Sequence, residues 1–144
     1  MSKGIRALVA AAVMGLAGVA SSAWAEIAII AHPENPEPGL TAAQAKKIFL
    51  GKRTSFPGGA WATPVDQPEG SPIRDQFYRK VAGKDAGQMK AYWSKMIFSG
   101  KATPPEAVGG DAEVKAWVAG HKEGIGYIDG GAVDGSVKVL LTLP

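Results

Sequence analysis

The residues from Val65 to Val81, V-D-Q-P-E-G-S-P-I-R-D-Q-F-Y-R-K-V, have the types and spacing to hold a small anion. Ser71 is a strong helix N-cap, because its hydroxyl accepts from a backbone N–H of the first turn. Pro72 follows at the first helical position, where its missing N–H is no loss and its fixed φ suits the helix. Gly70, lacking a Cβ, lets another group approach the backbone. Such a helix start points backbone donors outward with a partial positive charge behind them, which suits an oxyanion. Capping by itself also accounts for a serine here. Arg74, the third helical residue, adds positive charge if it curls back to the mouth; on the solvent face it is an ordinary exposed arginine.

Other chemistry finds little to work with. His32 and His121 are isolated, and there is no G-x-S-x-G elbow, no H-E-x-x-H and no paired metal-ligand spacing. Gly124 and Gly126 lack the third glycine of a dinucleotide fingerprint and lie inside a strand pattern. The reading is therefore a binding protein and no enzyme, with neither cofactor nor metal.

The elements that position the Ser71 mouth follow from periodicity. Ile73, Phe77 and Val81 recur at four-residue steps and give its helix a buried stripe. Trp61 to Val65 reads as the strand leading in. Before it, Ile27 to Ile30 is a short apolar run of the buried-strand kind. His32 to Gly39 is a proline-rich connector. Thr41 caps a helix with Gln44 three residues on, and its inner face is Ala45, Ile48 and Phe49. After the central helix, Gly83 and Asp85 mark a stop and a new cap. A third helix spans about Ala86 to Phe98 and buries Met89, Trp93, Met96 and Ile97. Lys101 to Gly110 is a connector. Asp111 caps a fourth helix with Val114, Trp117 and Val118 inward. Gly124 to Ile128 and Val137 to Leu141 are the last strands. The fold class is α/β: a small mixed β-sheet packed by about four helices.

Residues 1–25 have a short basic start (Lys3, Arg6), an apolar run from Ala7 to Ala20 and a small-x-small ending at Ala23-Trp24-Ala25. That is the pattern of a secretory signal peptide. The run is short for a membrane span and interrupted by Gly15 and Gly18. Cleavage leaves residues 26–144 as one domain, with no insertion into the membrane. The 144-residue chain has 16 Lys+Arg against 13 Asp+Glu, and losing Lys3 and Arg6 brings the balance to 14 against 13. Near neutrality gives no support for a nucleic-acid partner. An exported chain without cysteine fits a bacterial periplasmic domain held by its core alone.

Leu40-Thr41, Gln44, Ile48-Phe49-Leu50-Gly51-Lys52, then Gly70-Ser71 with Phe77 downstream, then Gly124-Ile125-Gly126-Tyr127, resemble the periplasmic phosphate-binding proteins of ABC transporters. The resemblance runs through nearly all of Glu26 to Leu140. It implies one lobe of a type II periplasmic binding protein, whose complete form grips its anion between two lobes. It also implies an anion site. Ser71 stands at the serine of the family's R-x-x-G-S-G-T turn, preceded by Gly70. Pro72 replaces a glycine, Ile73 replaces the threonine but keeps its N–H, and Gln67 replaces the arginine. Arg74 is the nearest compensating charge, and Asp66 and Glu69 lie close by. The anion-binding set is then Gly70, Ser71, Ile73, Arg74, Gln67 and Asn35. The implied partners are inorganic phosphate or a similar oxyanion and an ABC permease or sensor ectodomain, with a homodimer able to close over the mouth. The competing reading is a single-lobe interaction or sensor-partner module that has lost high-affinity anion binding.

Overall fold

The computed structural model describes residues 26–144, so the segment expected to be a signal peptide, residues 1–25, lies outside the described residues. Ten elements follow one another: β1 (Ile27–Ala31), α1 (Ala42–Phe49), β2 (Thr63–Asp66), α2 (Pro72–Ala82), α3 (Ala86–Phe98), β3 (Glu106–Ala107), α4 (Asp111–Ala119), β4 (Gly124–Asp129), a 3-10 turn (Gly130–Ala132) and β5 (Lys138–Leu143). The sheet order is β3-β2-β4-β1-β5. β2 is parallel to both β3 and β4, whereas β1 pairs antiparallel with β4 and β5. The expected mixed α/β sheet with four helices is the fold observed.

β1 is apolar throughout because both its faces are covered, as an uninterrupted apolar run requires. Ile27, Ile29 and Ala31 point into a core shared with α1, α2 and α3. Ala28 and Ile30 point the other way, into a second core with Val114 and Val118 of α4. The period of two along one strand thus separates three helices on one face from one on the other. Gly126 makes the closer of these contacts possible: a Cβ there would lie 2.6 Å from Val114 Cγ1. The Gly124-Ile125-Gly126-Tyr127 pattern is accordingly a helix-packing device.

Local signals set the helix starts on the three-helix face. Thr41 and Asp85 form reciprocal capping boxes with Gln44 and Gln88, and Ser71 caps α2 with Pro72 at its first position.

Four expectations need correction. A fifth strand, β3, lies within the expected Lys101–Gly110 connector; two residues carry no alternation, and they are ordered by pairing with Val65 and Asp66. β2 begins at Thr63, after Trp61, which is 63% exposed. The cap of α4 is Gly110, and Asp111 is its first helical residue. Ile97 is exposed, since α3 runs past the edge of the core at its last turn.

Candidate functional site

β2 ends at Asp66 beside the C-terminal end of β4, and α2 begins six residues later at this same end of the sheet. Asp66 is buried and its carboxylate is surrounded by donors. Tyr78 donates its hydroxyl to Oδ2 at 2.7 Å, Tyr127 donates to Oδ1, and the Gln67 N–H donates to Oδ1 at 2.8 Å. Burial first, and the Asp66 charge second, push the hydroxyls of both Tyr78 and Tyr127 above the ordinary phenol range. Both tyrosines therefore remain protonated donors over the physiological range.

The rings behind these hydroxyls are fixed by packing. Phe77 stacks on Tyr127 with centroids 3.9 Å apart and planes 3° from parallel, and Phe49 meets Phe77 edge-on at 4.8 Å. An α1 residue and an α2 residue thus hold a β4 side chain in place.

Gln67 is equally committed. Its Nε2 donates to Asp111 Oδ1 at 2.8 Å and to the Tyr127 carbonyl at 3.2 Å, while its Oε1 accepts from Ser71 Oγ at 2.9 Å. Both amide protons are used internally, so Gln67 offers none to a ligand. Ser71 is likewise consumed: its N–H donates to Pro68 O at 3.1 Å and its Oγ accepts from Arg74 N at 3.1 Å. Its hydroxyl and its N–H are thus both engaged within the chain, where they shape the mouth. Asn35 is corrected by position. It follows Ala31, which pairs with Ile125 near the start of β4, so it lies at the opposite end of the sheet. There its Oδ1 accepts from Glu37 N at 2.8 Å and its carbonyl accepts from Lys138 Nζ at 2.8 Å.

Gly70, Ile73 and Arg74 remain at the mouth. Gly70 has φ +91° and no atom within 4 Å of where a Cβ would stand. Of the first-turn donors, the Arg74 and Asp75 N–H groups bond to Ser71, and the Ile73 N–H has no partner among the described residues. Arg74 reaches back over the turn as an arginine at the third helical position can. Its Nη1 donates to the Gln67 carbonyl at 3.4 Å, its Nε lies 4.0 Å from Asp66 Oδ1, and its guanidinium is 5.7 Å from the Tyr78 ring centre. These contacts are long, and Asp66 has three shorter donors, so Arg74 is not needed to satisfy it. A guanidinium has five N–H donors, and most of those of Arg74 are left for an incoming acceptor.

Beside Arg74 a hollow of about 290 Å³ opens, lined also by Asp66, Glu69, Lys90, Trp93, Ser94, Ile97, Pro104, Pro105 and Ala107. Sequence reasoning missed this hollow and the tyrosine pair because they join residues distant in the chain: Tyr127 is 61 residues from Asp66. The available signal was Asp66 itself, a charged residue at the end of a strand pattern. Among the described residues no group of His, Cys, Asp and Glu is placed to hold a metal ion, and no helix is long and apolar enough to cross a membrane.

The fold has solved counterparts. A protein described as a phosphate ABC transporter substrate-binding protein, from Clostridium perfringens and with phosphate bound, superimposes with a TM-score of 0.65 and 32% identity, over 81% of this chain and 45% of that one. An ABC-type phosphate transport receptor from Vibrio cholerae gives 0.57 and 22% identity, over 81% and 46%. PstS from Borrelia burgdorferi gives 0.61 and 17%, over 81% and 47%. No family model matches the chain, and no curated protein matches it. The chain spans less than half the length of these three structures. It resembles the phosphate-binding proteins of ABC transporters, and its five-stranded sheet with four helices matches one lobe of that fold.

Proposed function

We propose that the chain, built as one lobe of a phosphate-binding protein, is itself an exported phosphate- or oxyanion-binding protein. The observation that carries this reading is the likeness to a structure holding phosphate. The local geometry supports the α2 mouth as the place: Gly70 leaves it open, the Ile73 N–H has no partner among the described residues, and Arg74 has donors to spare. The positive end of α2 favours the same charge. Ser71 and Gln67 act one step back, fixing the turn from which Arg74 projects. The leader-like pattern of residues 1–25 supports a periplasmic location for residues 26–144, with an ABC permease or a sensor ectodomain as the protein partner. It does no chemistry on the anion.

Isothermal titration of the exported form with phosphate, sulfate and a neutral polyol tests this. The account expects saturable heat with phosphate and none with the polyol. Absence of heat with either anion at millimolar concentration rejects it.

A second reading, an interaction module that no longer needs an anion, is favoured by one specific observation: every donor of Ser71 and Gln67 is spent inside the chain. Combining Ser71→Ala with Arg74→Ala separates the two. Undiminished capture of the permease or sensor ectodomain by the double variant supports the module, and lost capture ties partner binding to the anion site.

A further inference from the structure

The hollow beside Arg74 is larger than an inorganic anion needs, and its walls are of two kinds. Arg74, Lys90 and Ser94 supply positive charge and a hydroxyl; Trp93, Ile97, Pro104, Pro105 and Ala107 supply apolar surface. Its volume of about 290 Å³ reaches the lower end of the range typical of small-molecule pockets, roughly 300–1,000 Å³. Trp93 is 95% buried and shows the hollow only part of its indole. Two acids share the lining. Asp66 is saturated by two phenols and a backbone N–H. Glu69 is exposed, where water screens it.

We infer that the preferred ligand of this site is an organic oxyanion, a phosphomonoester carrying a flat apolar group. The phosphoryl oxygens meet Arg74 and Lys90, and the apolar group lies against Trp93, Ile97 and the Pro104-Pro105 wall. This inference rests on the oxyanion reading above and names the ligand class within it. Pro104 and Pro105 are suited to such a wall, since they present ring surface and no N–H that an apolar group would leave unpaired. Ile97, exposed on α3 where the sequence pattern places it inward, then has an occupant to cover it.

Phenyl phosphate, inorganic phosphate and phenol, titrated separately into the exported form and its Lys90→Ala variant, test the inference. Phenyl phosphate is expected to bind at least tenfold more tightly than phosphate. Tenfold is about 1.4 kcal/mol, which needs only about 55 Å² of apolar surface removed from water. It is also expected to quench Trp93 emission, a quenching that is absent from the Trp93→Phe variant. Lys90 is exposed, so its removal leaves the fold intact and weakens phenyl phosphate several-fold. Equal affinity for phosphate and phenyl phosphate overturns the inference and spares the oxyanion reading. Phenol binding as tightly as phenyl phosphate also overturns it. Binding of neither phosphate nor phenyl phosphate overturns both.

Discussion

The two ends of the sheet each bury a pair of polar residues, Asn35 and Glu37 at one end and Asp66 and Gln67 at the other. At the first end they serve loops. Asn35 holds the Glu37 backbone, and Glu37 Oε1 accepts from the Gly58 N–H at 2.6 Å, tying the proline-rich connector to the loop before β2. At the second end the partners are mainly side chains drawn from α2, α4 and β4: Tyr78, Ser71, Asp111 and Tyr127. The first arrangement ties loops to one another and to Lys138 of β5. The second supports an arginine at the rim of a hollow. Burial of a polar residue is therefore no guide to a site by itself.

The largest difference between the ends should be in stability. Asp66→Ala strips the acceptor from two buried phenols, and urea unfolding should show a loss of about 3–5 kcal/mol. Asn35→Ala should cost about 1–2 kcal/mol, because its side chain accepts from a single backbone N–H, that of Glu37. Equal losses would erase the distinction. The next effect is alkaline. The folded-state pKa values of Tyr78 and Tyr127 are raised above the unfolded value of about 10. Below that pH both states keep the protons and the contribution is intact. Above it the unfolded chain releases them first, so stability falls as pH rises, by up to about 1.4 kcal/mol per pH unit for each phenol. Tyrosinate absorbance should appear for these two residues only together with unfolding.

Arg74→Ala should weaken phosphate binding at least tenfold, about 1.4 kcal/mol, while Asn35→Ala leaves it unchanged by titration calorimetry. The smallest effect is that of Ser71→Ala. Loss of the α2 cap should cost about 1 kcal/mol of stability in urea. Phosphate affinity should change by no more than roughly twofold, about 0.4 kcal/mol, because Ser71 has no donor left for a ligand.

Much of this architecture was legible because it is locally encoded. Ser71-Pro72, Thr41 with Gln44, and Asp85 after Gly83 announce helix starts within four residues, and the structure places caps at all three. The apolar run of β1 carried its burial on both faces. What stayed hidden depends on partners far along the chain. Asp111 looks like a cap, yet its carboxylate accepts from Gln67 Nε2 and from the Asp129 N–H at 3.3 Å. Leaving the cap to Gly110 frees it for that work. β3 exists only because β2 is beside it. Asn35 and Gln67 have the same amide chemistry and the same depth of burial, and only topology puts one at each end of the sheet. Gly70, Ile73 and Arg74 were nameable in advance because they belong to the turn itself. The hollow was not, because its walls come from α2, α3 and the β3 segment together.

The most direct measurement is a phosphate titration followed by nuclear magnetic resonance of the backbone amides and the arginine side chains. The account predicts saturable shifts at the Ile73 N–H and the Arg74 Nε–H, with the Glu37 and Gly58 N–H signals at the other end of the sheet unmoved. Shifts confined to Glu37 and Gly58, or none at Ile73 and Arg74 up to millimolar phosphate, would contradict it.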